Sequence, residues 1–186
     1  MLEQQIQQQF FDSADLKYQT AELLARPVAE AASALLGAIT SGGKLMVCGS
    51  GGGRWLAQHL QSMMVGRFER DRPPLAAWAL ANDTELALAK QVQALGQPGD
   101  VLLVIDDGGA DTAATIAAVQ AAQQKDISVV VLTAAAATPW REMLSEPDVL
   151  VTVPHERPAR ILEMQLLILH CVCDALDLQL MGEQET

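Results

Sequence analysis

Between Gly99 and Gln124 the chain runs Val101-Leu102-Leu103-Val104-Ile105 straight into Asp106-Asp107-Gly108-Gly109-Ala110-Asp111. An unbroken apolar run with no polar alternation marks a strand buried on both faces, and such strands belong to parallel sheets covered by helices on each side. The loop that follows opens a helix predicted from about Asp111 to Gln124. A loop in that position presents free backbone N–H groups and the positive end of a helix, so it commonly holds an anion. A phosphate would be met by Ser, Thr and Gly. Here Asp106, Asp107 and Asp111 stand in the loop instead.

The same alternation extends along the chain. Leu2 to about Arg26 reads as a helix, and Pro27 suits the first turn of a second one ending near Thr40, before Gly42-Gly43. Strands are predicted at Leu45–Cys48, Pro74–Leu80, Val101–Ile105, Ile127–Leu132 and Val149–Val153. Helices are predicted from about Arg54 to Phe68, from an Asp83 cap to Leu95-Gly96, and from Pro158 to Leu180. Apolar strands alternating with helices imply an α/β fold, a three-layer, flavodoxin-like sheet of five parallel strands. Residues 1–186 form one domain, with an N-terminal helical segment (1–41) and an α/β core (44–181). Ligands of such sheets sit beyond the C-terminal strand ends, near the switch in strand order. The glycine loops after the first and third strands lie on that edge.

A formal net charge of −11 argues against a direct nucleic-acid surface, which needs clustered Lys and Arg, although an acidic chain can still act there through a basic protein partner. Cys48, Cys171 and Cys173 lack metal-knuckle spacing and read as reduced packing cysteines of a cytoplasmic protein. No apolar run reaches the ~20 residues of a membrane span, and the Gln-rich start does not read as a signal peptide.

Gly49-Ser50-Gly51-Gly52-Gly53 follows a strand and opens a helix. Its glycines do not match the dinucleotide fingerprint, and no Gly-Lys-Ser/Thr follows as in a Walker loop. Together with Ala57-Gln58-His59, Gly66-Arg67-Phe68-Glu69-Arg70-Asp71-Arg72-Pro73, Lys90 to Leu102, Val153-Pro154 and His170-Cys171-Val172-Cys173-Asp174, it resembles the sugar isomerase (SIS) domain family. The match is to the branch that holds phosphoheptose isomerases and DnaA initiator-associating proteins (DiaA). Phe68 to Pro73, Ala159-Arg160-Ile161 with Glu163-Met164, and Cys171 to Asp174 favour the second group. The resemblance implies a homotetramer with the N-terminal helices at the subunit contact.

The resemblance also implies an enzyme site that this chain departs from. Isomerisation through an enediol needs a general base. The family's carboxylate, four residues after the histidine matching His59, is Met63 here, and Ser62 stands where a second carboxylate often lies. Its second proton-transfer group matches His170. Its zinc ligands match His59, Met63, Leu162 and His170, of which only the histidines remain, so zinc is not expected and no cofactor is. The family's Ser-Thr-Ser-Gly-Asn-Ser phosphate loop is matched by Asp106, Asp107, Gly108, Gly109, Ala110 and Asp111. Carboxylates accept but do not donate. One such carboxylate ~4 Å from a phosphate oxygen repels it by roughly 4 kcal/mol at an effective dielectric of 20. A divalent cation is an alternative ligand of Asp106 and Asp107, a solvated acidic loop the plainer one. Asp111 also reads as an ordinary helix cap. Arg54 either restores anion affinity or, as preferred, pairs with an aspartate of the other loop. The stretch between Leu80 and Lys90, part of the cleft wall, is shorter than in these relatives.

The ligand-loop candidates are therefore Ser50, Gly51, Gly52, Gly53, Arg54, Asp106, Asp107, Gly108 and Asp111, and the degenerate catalytic positions are His59, Met63 and His170. The function expected from this pattern is a non-catalytic, DnaA-binding regulator of replication initiation. Leu180 and Met181, ahead of Gly182-Glu183-Gln184-Glu185, are its candidate partner contact, with Leu178 beside them. A phosphoheptose isomerase acting on sedoheptulose 7-phosphate and a non-catalytic sugar-phosphate sensor remain alternatives. Arg67, Arg70 and Arg72 are expected to pair with carboxylates, Trp78 and Trp140 to pack, and His155 to be a solvated loop histidine.

Overall fold

The computed structural model describes residues 1–81, 86–109, 111–135 and 138–182. The Asp83 cap and the Glu183–Glu185 tail of the sequence reading lie outside them. In chain order the elements are α1 (Leu2–Thr40), β1 (Leu45–Gly49), α2 (Gly53–Val65), β2 (Ala77–Ala79), α3 (Ala87–Leu95), β3 (Val101–Ile105), α4 (Ala113–Gln123), β4 (Ser128–Ala134), α5 (Thr138–Met143), β5 (Val149–Val153) and α6 (Pro158–Met181). The five strands form one parallel sheet in the order β2-β1-β3-β4-β5.

Alternation along each strand divides the core in two. Leu45, Val47, Val101, Leu103, Ile105, Val130 and Leu132 face α1, α2 and α6. Met46, Cys48, Leu102, Val104, Val129 and Val131 face α3, α4 and Trp140 of α5. Both faces of β1 and β3 are thus dry, as their unbroken apolar runs require. β2 is only three residues long at the sheet edge, shorter than the predicted Pro74–Leu80. Pro73 and Pro74 have no N–H to give to the ladder.

The predicted pair of N-terminal helices is one continuous helix with Pro27 inside it. Pro27 leaves the Leu23 carbonyl without its helical partner, but Leu23 is exposed, where water can take that place. The buried stripe of Leu24, Ala31, Leu35 and Ala38 runs through the proline without a change of register, so packing holds the helix together. Part of α1 is apolar and long enough to cross a membrane by composition alone. In the fold that helix packs on α6 and β5. Helix α5 was not expected. Thr138-Pro139 at its start is the sequence signal that marks it.

Candidate functional site

The sheet order reverses between β1 and β3, which lie side by side with Gly49 opposite Ile105. Their C-terminal ends carry the two glycine loops, so the loops meet at the crevice where α/β sheets bind ligands. The first loop crosses very close to the second. Gly51 has φ +49°, and a Cβ on Gly53 would lie 2.1 Å from the Ile105 carbonyl oxygen. Ser50 N–H donates to that same oxygen at 3.0 Å.

The adjacent aspartates leave the strand in opposite directions. Asp106 is buried at 3% exposure. Its Oδ1 accepts from Ser50 Oγ at 3.0 Å and from Gly108 N–H at 3.1 Å. Its Oδ2 accepts from Thr133 Oγ1 and Trp140 Nε1, both at 2.8 Å. Gln165 Nε2 of α6 donates to the Asp106 carbonyl at 2.7 Å. A carboxylate with four donors is paid for in full; this one ties the β1 loop, β4 and α5 together beneath the site, and α6 joins them through the Asp106 carbonyl. Ser50 and Asp106, expected among the ligand-loop residues, are both buried in this structure. Trp140 packs as expected, through a hydrogen bond as well as by burial.

Asp107 turns outward into the first loop. Its Oδ2 accepts Gly52 N–H at 2.7 Å, and its Oδ1 accepts Gly109 N–H at 3.1 Å. Arg54 meets Asp111, at 3.2 Å, with both side chains largely exposed. Leu162 reaches over Gly52, where its Cδ1 would lie 2.7 Å from an added Cβ.

Further along α2 and α6 stands a row of rings. Trp55 and His59 share one face of α2, four residues apart, with ring centroids 6.3 Å from each other. His59 and His170 of α6 are 6.1 Å apart, edge to face, and Phe68 lies 5.2 Å beyond His170. Burial, and next the neighbouring His59, lower the His170 pKa below the ordinary imidazole value, with Glu69 opposing them. His170 therefore stays neutral, and able to accept a proton, at pH 7.

This wall rests on a buried ion pair. Arg72 Nε donates to Asp177 Oδ1, both side chains 1% exposed. Its Nη1 and Nη2 donate at 2.8 Å to the Met64 and Met63 carbonyls at the end of α2. Arg67 pairs with Asp71, and Arg70 donates to the Gly182 carbonyl. His155 Nδ1 accepts Arg157 N–H, which fixes it in its loop. Trp78 departs from its expected packing role, being 56% exposed on edge strand β2. Cys48 and Cys173 are buried, with thiols pushed up to about 12 chiefly by that burial, and neither is poised as a nucleophile.

The zinc that the family resemblance implies does not fit these residues. Met63 is buried in the apolar core and Leu162 covers the glycine loop, leaving the His59 and His170 rings as donors where three or four ligands are needed. Among the described residues no three His, Cys, Asp or Glu side chains come together as a metal group.

Residues 9–134 match the model of the SIS domain. The chain belongs to the SIS domain family. The phosphoheptose isomerase of Methylibium petroleiphilum is 52% identical over 197 aligned positions, covering all of this chain and 98% of the relative. The solved phosphoheptose isomerase GmhA of Neisseria gonorrhoeae superposes with a TM-score of 0.86 at 35% identity, covering 95% of this chain and 99% of that one. The Francisella tularensis phosphoheptose isomerase gives 0.88 at 34%, with 95% and 98% covered.

These likenesses overturn the expected DnaA-binding, non-catalytic function and the placement in the DnaA-associating group. A HobA chain, from a complex with DnaA domains I–II of Helicobacter pylori, shares only 14% identity at a TM-score of 0.60, which is a likeness of fold. Leu180, offered as a partner contact, is half-buried against the core, and Met181 is 44% exposed at the end of α6. Two of the short segments that favoured that group hold residues of the scaffold. Arg160 binds Gln9 of α1 and Glu163, while Cys173 is core.

Proposed function

We propose that this SIS domain is a phosphoheptose isomerase, interconverting sedoheptulose 7-phosphate and its aldose isomer. The observation that carries the reading is the His59–His170 pair between α2 and α6, in a chain 52% identical along its whole length to a phosphoheptose isomerase. The chemistry moves one proton. A base takes it from the carbon beside the carbonyl as the carbonyl oxygen is protonated, giving the enediol, and returns it to the former carbonyl carbon as the other hydroxyl gives up its proton and becomes the new carbonyl. His170, held neutral by burial and by His59, is the base, and His59 is placed to exchange the hydroxyl proton. Met63 takes no part.

The assembly proposed with this activity is a homotetramer joined through α1. The α1 helix exposes Ile6, Phe10, Phe11, Tyr18 and Leu23, and borders an apolar groove of about 360 Å³ against α6.

The test is interconversion of sedoheptulose 7-phosphate by purified protein, followed by chromatography of the two isomers. His170→Asn should lower kcat by about 10²-fold or more. Turnover should persist after chelation, and should fall with acid only below the ordinary histidine pKa, because the His170 pKa is lowered and its base form survives further down in pH. Sedimentation of the same preparation should give four chains. Wild-type turnover no greater than that of His170→Asn sinks the enzyme reading.

A further inference from the structure

We propose that Trp55 selects the length of the sugar: its indole face packs against the far carbons of a seven-carbon chain whose reacting end lies at His59 and His170. This rests on the isomerase reading above and adds to it a specificity-determining residue outside the proton-transfer pair. The exposed side of α2 carries Arg54, Trp55, Gln58, His59 and Ser62. Trp55 and His59 stand about one helical turn apart on that side, their ring centroids 6.3 Å from each other. Trp55 is 48% exposed and belongs to neither core layer, so packing within the fold does not account for it. An indole is a broad apolar plate with one polar edge, which suits the carbon face of a polyol.

The row of rings has two ends, and only one of them is open. Beyond His170, Phe68 is half-buried and packed against the core. Beyond His59, Trp55 stands on the first turn of α2, just after the glycine loop that follows β1. A chain laid along the rings from His170 to Trp55 therefore runs toward the C-terminal edge of the sheet, where such sheets take their ligands. Bond geometry sets how much of the sugar reaches Trp55. An extended carbon chain advances ~1.25 Å per bond, from bonds of ~1.5 Å at ~111°. The 6.3 Å from His59 to Trp55 is then about five such bonds. With carbons one and two at the imidazoles, carbons six and seven lie over the indole. A five-carbon chain ends short of the ring centre and covers less of it.

The experiment uses the full chain as wild type, Trp55→Ala and Trp55→Phe, with thermal unfolding as a check on folding. The probes are sedoheptulose 7-phosphate as substrate and ribulose 5-phosphate as a five-carbon competitor. Covering about 60 Å² of apolar surface corresponds to about tenfold in affinity. Trp55→Ala should therefore raise KM for sedoheptulose 7-phosphate about tenfold, with kcat changing less than about twofold. The inhibition constant of ribulose 5-phosphate should rise no more than about threefold, and Trp55→Phe should recover most of the loss. Sedoheptulose 7-phosphate should also change the indole fluorescence of the wild type. That change should be absent from Trp55→Ala, which keeps Trp78 and Trp140. An unchanged KM in Trp55→Ala, or an equal loss for both sugars, overturns the inference. A fluorescence change that depends on Trp55, with no turnover in any protein, keeps Trp55 as the sugar contact and removes the isomerase reading. Turnover with neither KM nor fluorescence response altered in Trp55→Ala does the reverse.

Discussion

The two walls of the crevice are built on opposite terms. On the glycine-loop side the polar groups are already spoken for by the protein: Asp106 by four donors, Gly52 N–H by Asp107, Arg54 by Asp111. On the ring side His59 is exposed and His170 half-buried, with aromatic neighbours and no hydrogen bond given to either imidazole among the described residues. The proton-transfer wall is open and the anion wall is self-occupied. The difference teaches that a loop bonded to itself and an open pair of imidazoles can coexist on one scaffold, because each wall has its own buried anchor. Asp106 anchors the loops, and the Arg72–Asp177 pair anchors the ends of α2 and α6.

The largest effect belongs to the loop anchor. Asp106→Ala leaves Ser50 Oγ, Thr133 Oγ1 and Trp140 Nε1 as buried donors without an acceptor. Each orphaned group costs about 1–3 kcal/mol, and with partial relaxation the variant should lose about 3–5 kcal/mol of stability in urea unfolding. Asp107→Ala, one residue away, should stay within about 1 kcal/mol of wild type, since its two partners regain water. Equal losses at the two positions would erase the distinction between the two aspartates.

That distinction is also where the sequence was silent. The five strands could be read because their apolar runs are unbroken and end at glycine turns, and the strand alternation then placed both glycine loops at one edge. Asp106 and Asp107 look alike on paper. Only the fold gathers Ser50, Thr133, Trp140 and Gln165 from separate elements around the first of them. Pro27 misled because local propensity marks a helix start, whereas the buried stripe that carries α1 through it depends on contact with α6. The functional expectation failed for a related reason. Met63 and the aspartates show which groups a site lacks, while the activity is inferred from what remains, here two imidazoles held face to edge.

On the ring side, Arg72→Met should cost about 3 kcal/mol, by leaving Asp177 as a buried charge without its partner. The loss should be somewhat smaller than for Asp106→Ala, since one Asp177 oxygen already lacks a hydrogen bond and the pair is imperfectly satisfied. Because Arg72 also holds the Met63 and Met64 carbonyls, the end of α2 should loosen first. Amide hydrogen exchange should quicken in α2 and α6 before it does in the β3 loop. Quickening spread evenly over both walls would mean that the two anchors belong to one unit.

The smallest effect is expected at the exposed charge pair between the two loops, Arg54 with Asp111. Arg54→Ala removes an ion pair whose side chains are 49% and 76% exposed, and exposed pairs contribute about 0–1 kcal/mol. Its stability should fall by less than about 1 kcal/mol, and the difference should shrink further in high salt as screening takes over. The sequence alone gave Arg54 a structural role, and the exposure of both partners reduces that role to a weak one. If the urea midpoint of Arg54→Ala instead dropped as far as that of Arg72→Met, the loops would depend on each other through their surface charges. The claim that Asp106 holds the anion wall from beneath would then fail.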